Sequence, residues 1–511
     1  MKKLLLLILV AVVVLAVVIL VKTLTYPFAP VKTAGGPPKT YEISDSALLR
    51  FSGGIRIPTV SNVDYSQFNY APFDTLDQYL VRMYPLVYAH MEHYKINQHA
   101  LVFHWKGKNP SLKPVIYLAH QDVVPPGDPS GKDSGAVIFS PKDKPLPPIT
   151  AIAQTWDYYP FSGNVVNGRI YGRGTLDMKP MLFSLMEAAS NLLEKSFTPE
   201  RDIYFAFGFD EEVGGTEGAK KIAADFQQKN IRFDAVYDEG GIVSTKGSLA
   251  GINTSVALIG CAEKGFWSIR IKVKGLGGHS SMPPLQSAIG KAAVIMQRLE
   301  NDQMKPMIIP TIDEFFKQIG GSMGFTSRMA IANQWLFKGM LIKQLTANHT
   351  TNALVRTTTA LTQMKGSDAS NVLAPVVDFV VNFRLLPGNT EEDVRKHVLA
   401  ACSGFDVELE NVREVREASR VSSINSQGYK VMERTIQQYF PDAVVAPYLT
   451  IGGTDAYKYE IVSDHVYRFL PVAINNFEQQ TIHNNNEYIS IENYSRMIRY
   501  FETLMSEYDK Q

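Results

Sequence analysis

The chain has 511 residues, a length that predicts about three structural units at roughly 150 residues per domain. Hydrophobic residues make up 45% of it and charged residues 20%, values that exclude a wholly disordered chain and a polytopic membrane protein. The 51 Lys and Arg residues balance the 50 Asp and Glu residues, so the basic excess of a nucleic-acid-binding protein is missing and we expect no nucleic-acid partner.

An unbroken apolar run near the N-terminus is the first predicted element. It covers residues 4–21 behind two lysines, and about 18 apolar residues is the minimum for a helix that spans a bilayer. No small-residue cleavage pattern follows, so we predict an uncleaved signal-anchor over residues 1–22, with a cleaved signal peptide as the alternative. Lysines flank both ends and leave the orientation open, but one anchor before a large domain favours a domain outside the cytoplasm (periplasmic, extracellular or lumenal). Residues 23–40 are rich in Pro and Gly and predict a tether.

Clusters of polar residues follow three apolar β-runs further along the chain, and another lies between the first two runs. The clusters are His120-x-Asp122, Gly172-Arg173-Gly174-x-x-Asp177, Asp210-Glu211-Glu212 and Asp238-Glu239. Buried parallel strands have continuous apolar runs, and α/β sheets bind ligands beyond the carboxyl ends of their strands. We therefore predict an α/β fold with one converging site. Solvated turns are the alternative, because Asp, Glu and Gly also favour turns.

The residue types in these clusters indicate a metal site. The chain has only Cys261 and Cys402, which excludes both a disulfide framework and a thiolate zinc cluster. Carboxylates and imidazole suit zinc, manganese or cobalt in a hydrolytic site. Two metals need a bridging carboxylate, and a carboxylate that binds no metal is needed to accept the proton of the attacking water. Glu211-Glu212 could supply one ligand and one base, or could be an acidic pair favoured by a helix N-terminus.

Together with further motifs, these clusters resemble the di-zinc aminoacylase/carboxypeptidase metallopeptidase family over about residues 45–505. The further motifs, in order, are Trp156-x-x-x-Pro160-Phe161-Ser162-Gly163, Gly277-Gly278-His279-Ser280-Ser281-x-Pro283, Asn371-Val-Leu-Ala-Pro375, Phe383-Arg384-Leu385-Leu386-Pro387-Gly388, Ile451-Gly452-Gly453-Thr454-Asp455 and Ile482-His483-Asn484-x-Asn486-Glu487. The Asp238-Glu239-Gly240-Gly241 element makes the chain most similar to the carboxypeptidase S-like branch, which includes the secreted N-fatty-acyl amino acid hydrolases/synthases.

The resemblance implies a centre that binds two Zn²⁺ ions, or Co²⁺ or Mn²⁺ in their place. The ligands that it implies are His120 on one ion, His483 on the other, Asp177 as the bridge, and Glu212 and Asp238 completing one shell each. Either carboxylate of Asp238-Glu239 could be the ligand, and the family register favours Asp238. Family members usually have a cis peptide bond after the bridging aspartate, which predicts one between Asp177 and Met178.

The resemblance also implies roles for residues around the metals. Glu211 would be the general base, and Asp122 would accept a hydrogen bond from the far nitrogen of His120. His279 would reach the substrate carbonyl, often in the partner subunit's site; a capped turn histidine is the alternative. The residues implied to contact the substrate's carboxylate and scissile carbonyl are Asn371, Arg384, Gly453 and Thr454.

The family architecture implies an α/β catalytic domain in two parts, residues 41–262 and 420–511, interrupted by an α+β ferredoxin-like lid or dimerisation domain at residues 263–419. Sequence patterns predict lid strands over residues 266–274, 354–363, 376–385 and 407–411, and helices over residues 284–300 and 391–402. Between them, residues 301–352 form an apolar insertion that could be a helical cap, a wall of the substrate site or ordinary core packing. Residues 125–155 are rich in proline and predict a surface loop near the site mouth.

These observations predict a membrane-anchored di-zinc carboxypeptidase or N-acyl amino acid hydrolase. It would use a metal-activated water to cleave an amide beside an amino acid with a free carboxylate, and would form a homodimer. An aminoacylase or dipeptidase with short polar substrates and a non-catalytic binding relative are the alternatives; the second is disfavoured because the implied ligands and base are all present. An esterase or lactonase is a weaker alternative, since no motif holds an activated serine.

Overall fold

In the computed structural model, residues 1–30, 41–128, 137–140, 146–249 and 251–510 are described. Most of the predicted tether and part of the proline-rich loop therefore lie outside the described residues. The α-helices are α1 (Lys2–Thr25), α2 (Asp45–Ile55), α3 (Ala71–Met83), α4 (Pro85–His90), α5 (Lys179–Glu194), α6 (Ala219–Gln228), α7 (Ala288–Asn301), α8 (Pro310–Ile319), α9 (Phe325–Ala332), α10 (Gln334–Thr346), α11 (His349–Val355), α12 (Glu391–Ala401), α13 (Gln427–Tyr439), α14 (Asn476–Gln479) and α15 (Ile491–Ser506).

The strands form a large sheet, a second sheet and two small ones within the described residues. They are β1 (Glu92–Ile96), β2 (Ala100–Trp105), β3 (Val115–His120), β4 (Val165–Val166), β5 (Arg169–Tyr171), β6 (Ile203–Gly208), β7 (Ala235–Asp238), β8 (Val243–Ser244), β9 (Ser255–Glu263), β10 (Trp267–Lys274), β11 (Gly278–His279), β12 (Thr358–Lys365), β13 (Val372–Leu373), β14 (Val376–Arg384), β15 (Val407–Asn411), β16 (Ala443–Thr450), β17 (Val466–Arg468), β18 (Ala473–Ile474) and β19 (Tyr488–Ser490).

The large sheet is mixed, with a parallel centre. Its strand order is β1-β2-β6-β3-β7-β17-β9-β8-β18, and β16 pairs with β9. Strands β6, β3, β7 and β17 are parallel neighbours. Their carboxyl ends therefore meet at one edge of the sheet, where three of the predicted polar clusters begin. The prediction of an α/β fold is confirmed.

Side chains of the central strands enter two hydrophobic layers in alternation. In β3, Tyr117 packs with the layer that includes Phe51, Met181 and Tyr500, whereas Leu118 packs with the opposite layer. This period of two follows from the pleat of a strand, and burial on both faces explains why these strands are continuously apolar. Helices α2, α5, α13 and α15 cover the first face, and α6 covers the second. The packed sheet gives the polar strand ends a rigid support.

The second sheet is antiparallel and comes from the middle of the chain. Its order is β12-β14-β10-β15, with α7 and α12 packed on it. In chain order the elements run β–α–β–β–α–β, which is the ferredoxin-like arrangement. The predicted strands and helices of this region are present, with ends shifted by a few residues: the strand predicted over 354–363 is observed at Thr358–Lys365, and the helix predicted over 284–300 at Ala288–Asn301.

The apolar insertion folds into helices α8 to α11, and the N-terminal helix ends against it. α1 is the helix among the described residues that is long and apolar enough to cross a membrane, with a mean hydropathy of 3.8. Of its residues only Thr23 is buried. Tyr26 and Phe28, in the predicted tether, pack against the hydrophobic cluster that the insertion forms with β9 and β16. The start of the tether is therefore packed on the protein.

Candidate metal and active site

Two groups of potential metal ligands meet at Asp177. His120 Nε2 lies 3.0 Å from Asp177 Oδ1 and 3.3 Å from Glu239 Oε1. On the other side, His483 Nε2 lies 2.9 Å from Asp177 Oδ2 and 3.2 Å from Glu212 Oε2. Within each group the ligand atoms lie within 4.8 Å of one another. Asp177 offers one carboxylate oxygen to each group, which is the geometry that a bridging ligand needs.

The structure brings Glu239 into the first group, where the family register favours Asp238. Asp238 is the last residue of β7 and pairs with Arg468 of β17, whereas Glu239 is the first residue beyond the strand. The Asp238 Oδ1 accepts a hydrogen bond from the backbone N–H of Glu239 at 2.9 Å, and its buried Oδ2 has no hydrogen-bond partner among the described residues. Of the two carboxylates that the sequence left open, Glu239 is the one placed to share an ion with His120.

Asp122 connects the histidine strand to the glutamate pair. The Nδ1–H of His120 donates to the backbone carbonyl of Asp122 at 2.9 Å, and the Asp122 carboxylate lies 3.4 Å from the same nitrogen. The two carboxylate oxygens accept the backbone N–H groups of Glu211 and Glu212, each at 3.1 Å. Asp122 thus fixes the tautomer that leaves Nε2 of His120 free for a ligand. It also holds the glutamate loop against the end of β3.

The loop that carries Asp177 is held by a buried carboxylate that the sequence analysis did not assign. Glu487 Oε1 accepts backbone N–H groups of Gly174, Leu176 and Asp177 at 3.0, 2.7 and 3.2 Å. Its Oε2 pairs with Arg173 Nη1 at 2.6 Å. The predicted cis peptide bond between Asp177 and Met178 is present. Arg173 and Glu487 both belong to the family motifs, so the sequence marked each of them. Their ion pair could not be predicted, because it joins segments far apart in sequence.

Burial of several like charges makes the site suited to a cation. Burial and the nearby Asp177 raise the pKa of Glu239 to about 8 and that of Glu212 to about 7. Hydrogen bonds to Asp177 and Glu212 raise the pKa of His483 to about 10. Among the described residues, the buried Glu212 Oε1 has no hydrogen-bond partner. Buried charges normally pair or coordinate metals, so these residues fit metal ions.

Glu211 lies beside the two groups and belongs to neither. It begins the 3₁₀ turn Glu211–Val213 that follows β6, and it lines the cavity described below. Burial raises the pKa of its carboxyl well above the usual range; His120 opposes this, and the charges of Asp455 and Glu239 add to it. A carboxyl with a raised pKa next to two groups of potential metal ligands is placed for proton transfer.

A cavity of about 2000 Å³ opens over these residues. Its polar floor includes Asp177, Glu211, Glu212, Glu239 and His483, and its wall includes the predicted substrate residues Arg384, Gly453 and Thr454. Much of the rest of the wall is apolar and comes from the insertion. The volume exceeds the roughly 300–1,000 Å³ of common small-molecule sites, so it has space for a large apolar group.

Arg384 and Thr454 differ in what remains available to a ligand. The Arg384 guanidinium lies over the Phe266 ring, 4.8 Å from its centroid, and makes no ion pair or hydrogen bond with the described residues. Thr454 is already engaged, because its N–H and its hydroxyl both donate to Glu263 at 3.1 Å. Arg384 is therefore the free cation of the predicted set, and Thr454 fixes the loop next to Gly453.

Arg416 lines the same wall and was not identified from sequence. Arg416 forms an ion pair with the buried Glu263, donates to the backbone carbonyl of Lys264 at 2.9 Å and lies over Tyr457. No family motif quoted above contains it, and the sequence around it gives no signal. It adds positive charge near Arg384 while it connects β9 to the segment that returns from the second sheet.

His279 and Asn371 lie together at the small sheet of β11 and β13. β11 and β13 pair there, and the carbonyl of Asn371 accepts the N–H of Ser280 at 3.1 Å. His279 is exposed and its Nδ1 bonds to Ser281 Oγ at 2.8 Å. Neither residue is among the described residues that line the cavity. Within one chain the structure therefore separates these two predicted residues from the metal ligands.

Comparison with known proteins finds relatives over most of the chain. Residues 146–507 match the family Peptidase family M20/M25/M40. The chain belongs to this family. A relative from Xenopus tropicalis, N-fatty-acyl-amino acid synthase/hydrolase PM20D1, is 33% identical over 96% of this chain and 92% of its own length. Probable carboxypeptidase S-like 2 from Dictyostelium discoideum is 32% identical over 92% of this chain and 86% of its own length.

Solved structures show the same fold. The M20 family metallo-carboxypeptidase Sso-CP2 from Sulfolobus solfataricus superposes with a TM-score of 0.63, at 19% identity, over 91% of this chain and 99% of that one. The protein is thus an M20-family hydrolase, an enzyme of the metallo-carboxypeptidase and aminoacylase type, and hydrolysis of amide bonds is the reaction class of its relatives. Metallopeptidases of this family use metal ions, which agrees with the two ligand groups at Asp177.

Proposed function

We propose that this M20-family hydrolase uses two Zn²⁺ ions to cleave an amide bond whose amine side is an amino acid with a free carboxylate and whose acyl side is hydrophobic. The observation that carries the proposal is that three features line one large cavity. They are the two ligand groups that meet at Asp177, the Glu211 carboxyl that belongs to neither group, and the free guanidinium of Arg384. Co²⁺ or Mn²⁺ could replace zinc, because the ligand set of carboxylates and imidazoles accepts all three.

The residues of the two groups would hold the ions. His120, Asp177 and Glu239 would bind one, and Asp177, Glu212 and His483 the other. Bound zinc would polarise the scissile carbonyl and lower the pKa of water so that it attacks at neutral pH. Asp122 would keep His120 in the required tautomer, and Glu487 would hold the backbone of the Asp177 loop in position.

Proton transfer in this proposal belongs to Glu211. Its carboxylate would accept a proton from the attacking water and return it to the amine nitrogen as the amide bond breaks. Burial raises the pKa of this carboxyl above its ordinary value, which makes its carboxylate a stronger base than one in water. The backbone bond from Glu211 to Asp122 keeps the side chain next to the ligand groups while it remains outside them.

The support for a hydrophobic acyl group is the apolar part of the cavity wall, which the insertion forms. Phe315 and Phe316 of α8 and Leu341 and Leu345 of α10 line the cavity beyond the polar floor. Each buried CH₂ of an acyl chain contributes about 0.8 kcal/mol, so a long chain would gain more from this wall than a short one. The name of the Xenopus relative, an N-fatty-acyl-amino acid synthase/hydrolase, supports the same substrate class.

A comparison of matched substrates tests the carboxylate contact. With Zn²⁺ or Co²⁺ present, an N-acyl amino acid should be cleaved with a kcat/KM roughly 10–100-fold above that of its C-terminal amide, since hydrogen bonds to a charged group contribute about 1.5–3 kcal/mol. Arg384→Gln should remove most of this difference. Equal kcat/KM values in the unmodified enzyme would refute the carboxylate requirement. Equal cleavage of short-acyl and long-acyl substrates would refute the hydrophobic preference and favour the short polar alternative.

We also propose a homodimer in which residues 263–419 carry His279 and Asn371 into the partner's cavity. Exposed apolar side chains in the same part of the chain support an interface there: Leu276, Met282, Leu285, Ile289, Met364 and Val372. In this arrangement residues 263–419 would act as the lid and dimerisation domain. The separation of His279 from the cavity within one chain is then expected.

Mixing two inactive variants tests the exchange of His279. His279→Ala and Glu211→Gln homodimers should each be inactive, but a mixed dimer has one site with both native residues. Activity should therefore return to about a quarter of the native level after random exchange of subunits, half of the dimers being mixed and each having one native site. If labelled subunits are shown to exchange and no activity returns, His279 does not act across the interface.

For localisation we propose that α1 anchors the chain in a membrane, with the catalytic domain outside the cytoplasm. The support is the length and apolar character of α1 and the exposure of its apolar side chains. A cleaved signal peptide remains the alternative. N-terminal sequencing of the mature protein distinguishes them, because an uncleaved anchor retains the residues of α1.

A further inference from the structure

The last turn of the N-terminal helix is fixed to the insertion that lines the cavity. Asn333, between α9 and α10, donates to the backbone carbonyl of Ile19 at 3.2 Å and to Thr23 Oγ1 at 3.0 Å. Lys22 Nζ lies 5.3 Å from the ring centroid of Trp335, the second residue of α10. The end of the apolar span and the start of α10 therefore lie side by side. Any surface that covers the apolar part of α1 therefore also lies close to α9 and α10.

Helices α9 and α10 expose large apolar side chains next to this junction. We call Phe325, Trp335, Leu336 and Met340 the interface patch; their exposed fractions lie between 43% and 55%. Leu336 and Met340 are one helical turn apart on α10. Trp105, Trp156 and Trp267 are buried, so Trp335 is the exposed tryptophan of the chain's four. Tryptophan is enriched at the level of lipid headgroups, where its ring is buried and its N–H remains hydrated.

The charge of this segment complements an anionic surface. Residues 315–367 contain no Asp or Glu, and the exposed Lys338 and Lys343 stand on α10 beside the interface patch. Lys22 adds a further positive charge at the end of the span. Basic residues near a membrane surface are attracted to anionic lipids by about 1 kcal/mol each. A second protein copy would meet the same positive charge on itself and be repelled.

The opposite side of the same two helices is the cavity wall. Ala330 and Ile331 of α9 and Leu341 and Leu345 of α10 line the cavity, and Met340 is both exposed and part of the lining. The interface patch thus reaches the rim of the cavity at Met340. An apolar chain that leaves a bilayer at this rim would pass from lipid to protein without crossing water.

We propose that the interface patch lies in the headgroup region of a bilayer with anionic lipids and holds the cavity rim at the lipid surface, so that the acyl chain of the substrate enters from the membrane. The occupant of the patch is lipid, fixed there by the anchor. The contact of the patch with lipid is independent of the catalytic reaction, whereas delivery of an acyl chain rests on the function proposed above.

Quenching of Trp335 fluorescence tests the lipid contact. The full chain would be reconstituted in vesicles of phosphatidylcholine and phosphatidylserine with brominated acyl chains, and its emission compared with that in unbrominated vesicles. We expect quenching in the unmodified chain and its loss in Trp335→Phe, since the other three tryptophans are buried. A matched control places the reporter elsewhere: Leu285→Trp in the Trp335→Phe background should not be quenched, because the exposed Leu285 lies between β11 and α7, outside the interface patch.

Two outcomes would overturn the lipid contact. Equal emission of the unmodified chain in both kinds of vesicle, with the protein shown to be inserted, would mean that the patch stands away from the bilayer. Protection of Trp335 that grows with the protein-to-lipid ratio would mean that a second copy covers it.

A kinetic comparison tests delivery of the acyl chain. The double variant Leu336→Glu, Lys338→Glu places negative charge on the patch, at positions outside the cavity lining. We expect it to lower kcat/KM for a long-acyl substrate dissolved in anionic vesicles by about tenfold and to leave a short-acyl substrate in water unchanged. An equal effect on both substrates would refute delivery through the membrane. If the unmodified enzyme cleaves neither substrate while Trp335 is still quenched, the proposed reaction is wrong and the lipid contact stands.

Discussion

Glu211→Gln is expected to lower kcat by about 10²–10⁴-fold while the protein keeps its full metal content. The amide has the shape of the carboxylate but cannot accept a proton from the attacking water. Because Glu211 belongs to neither ligand group, the substitution leaves the two sets around Asp177 intact. Steady-state kinetics give kcat, and elemental analysis of the purified protein gives the number of ions per chain.

The neighbouring glutamate provides the matched control. Glu212 stands on the same turn and its backbone N–H likewise donates to the Asp122 carboxylate, but its own carboxylate lies beside His483. Glu212→Gln should therefore lose metal as well as activity, and added zinc should restore part of both. Normal turnover in Glu211→Gln would remove this residue from the role of base. Loss of an ion in Glu211→Gln would identify it as a ligand.

The convergence of the site could be predicted from sequence because it follows from the topology of parallel strands. His120, the Glu211-Glu212 pair and Glu239 all follow apolar strands, and such strand ends meet at one edge. The choice between Asp238 and Glu239 could not be made this way. Neighbouring residues of a strand point to opposite sides, so an error of one residue in the strand end exchanges the two carboxylates.

Contacts between distant segments account for what the sequence did not reveal. Arg416 lies near the end of residues 263–419. It reaches the cavity because its ion pair with Glu263 joins that segment to β9, and no local sequence pattern encodes this contact. The apolar insertion could be core, cap or wall on composition alone. Its place in the cavity wall depends on how α8 packs on β16 and on how α10 packs beside it.

In the N-terminal segment, too, the sequence did not reveal a contact with a distant part of the chain. Composition predicted a helix followed by a Pro/Gly tether, and a tether implies freedom between anchor and enzyme. In the structure the helix continues to Thr25, and Tyr26 and Phe28 pack on the insertion. The apolar character of these two aromatic residues was visible in the sequence, but the surface that accepts them was not. This contact fixes the orientation of α1 relative to the insertion.

Glu487→Gln is expected to lower the free energy of unfolding by about 3–5 kcal/mol, the cost of leaving one partner of a buried ion pair uncompensated. Glu487 and Arg173 are both buried, and Glu487 also accepts three backbone N–H groups of the Asp177 loop. A glutamine has a single acceptor oxygen. If that oxygen faces the loop, the amide NH₂ meets the Arg173 guanidinium donor to donor; if it faces Arg173, the loop loses its acceptor. Urea unfolding of the full chain in detergent measures the effect, and metal content after dialysis reports whether Asp177 is displaced.

Glu492→Gln on α15 is the matched control, because its ion pair with Arg496 leaves the Glu492 side chain 56% exposed. That control should change stability by less than about 1 kcal/mol. Equal stabilities of the two variants would mean that the charge of Arg173 is compensated without Glu487, for instance by its contacts with the Asn484 carbonyl and the Trp156 ring.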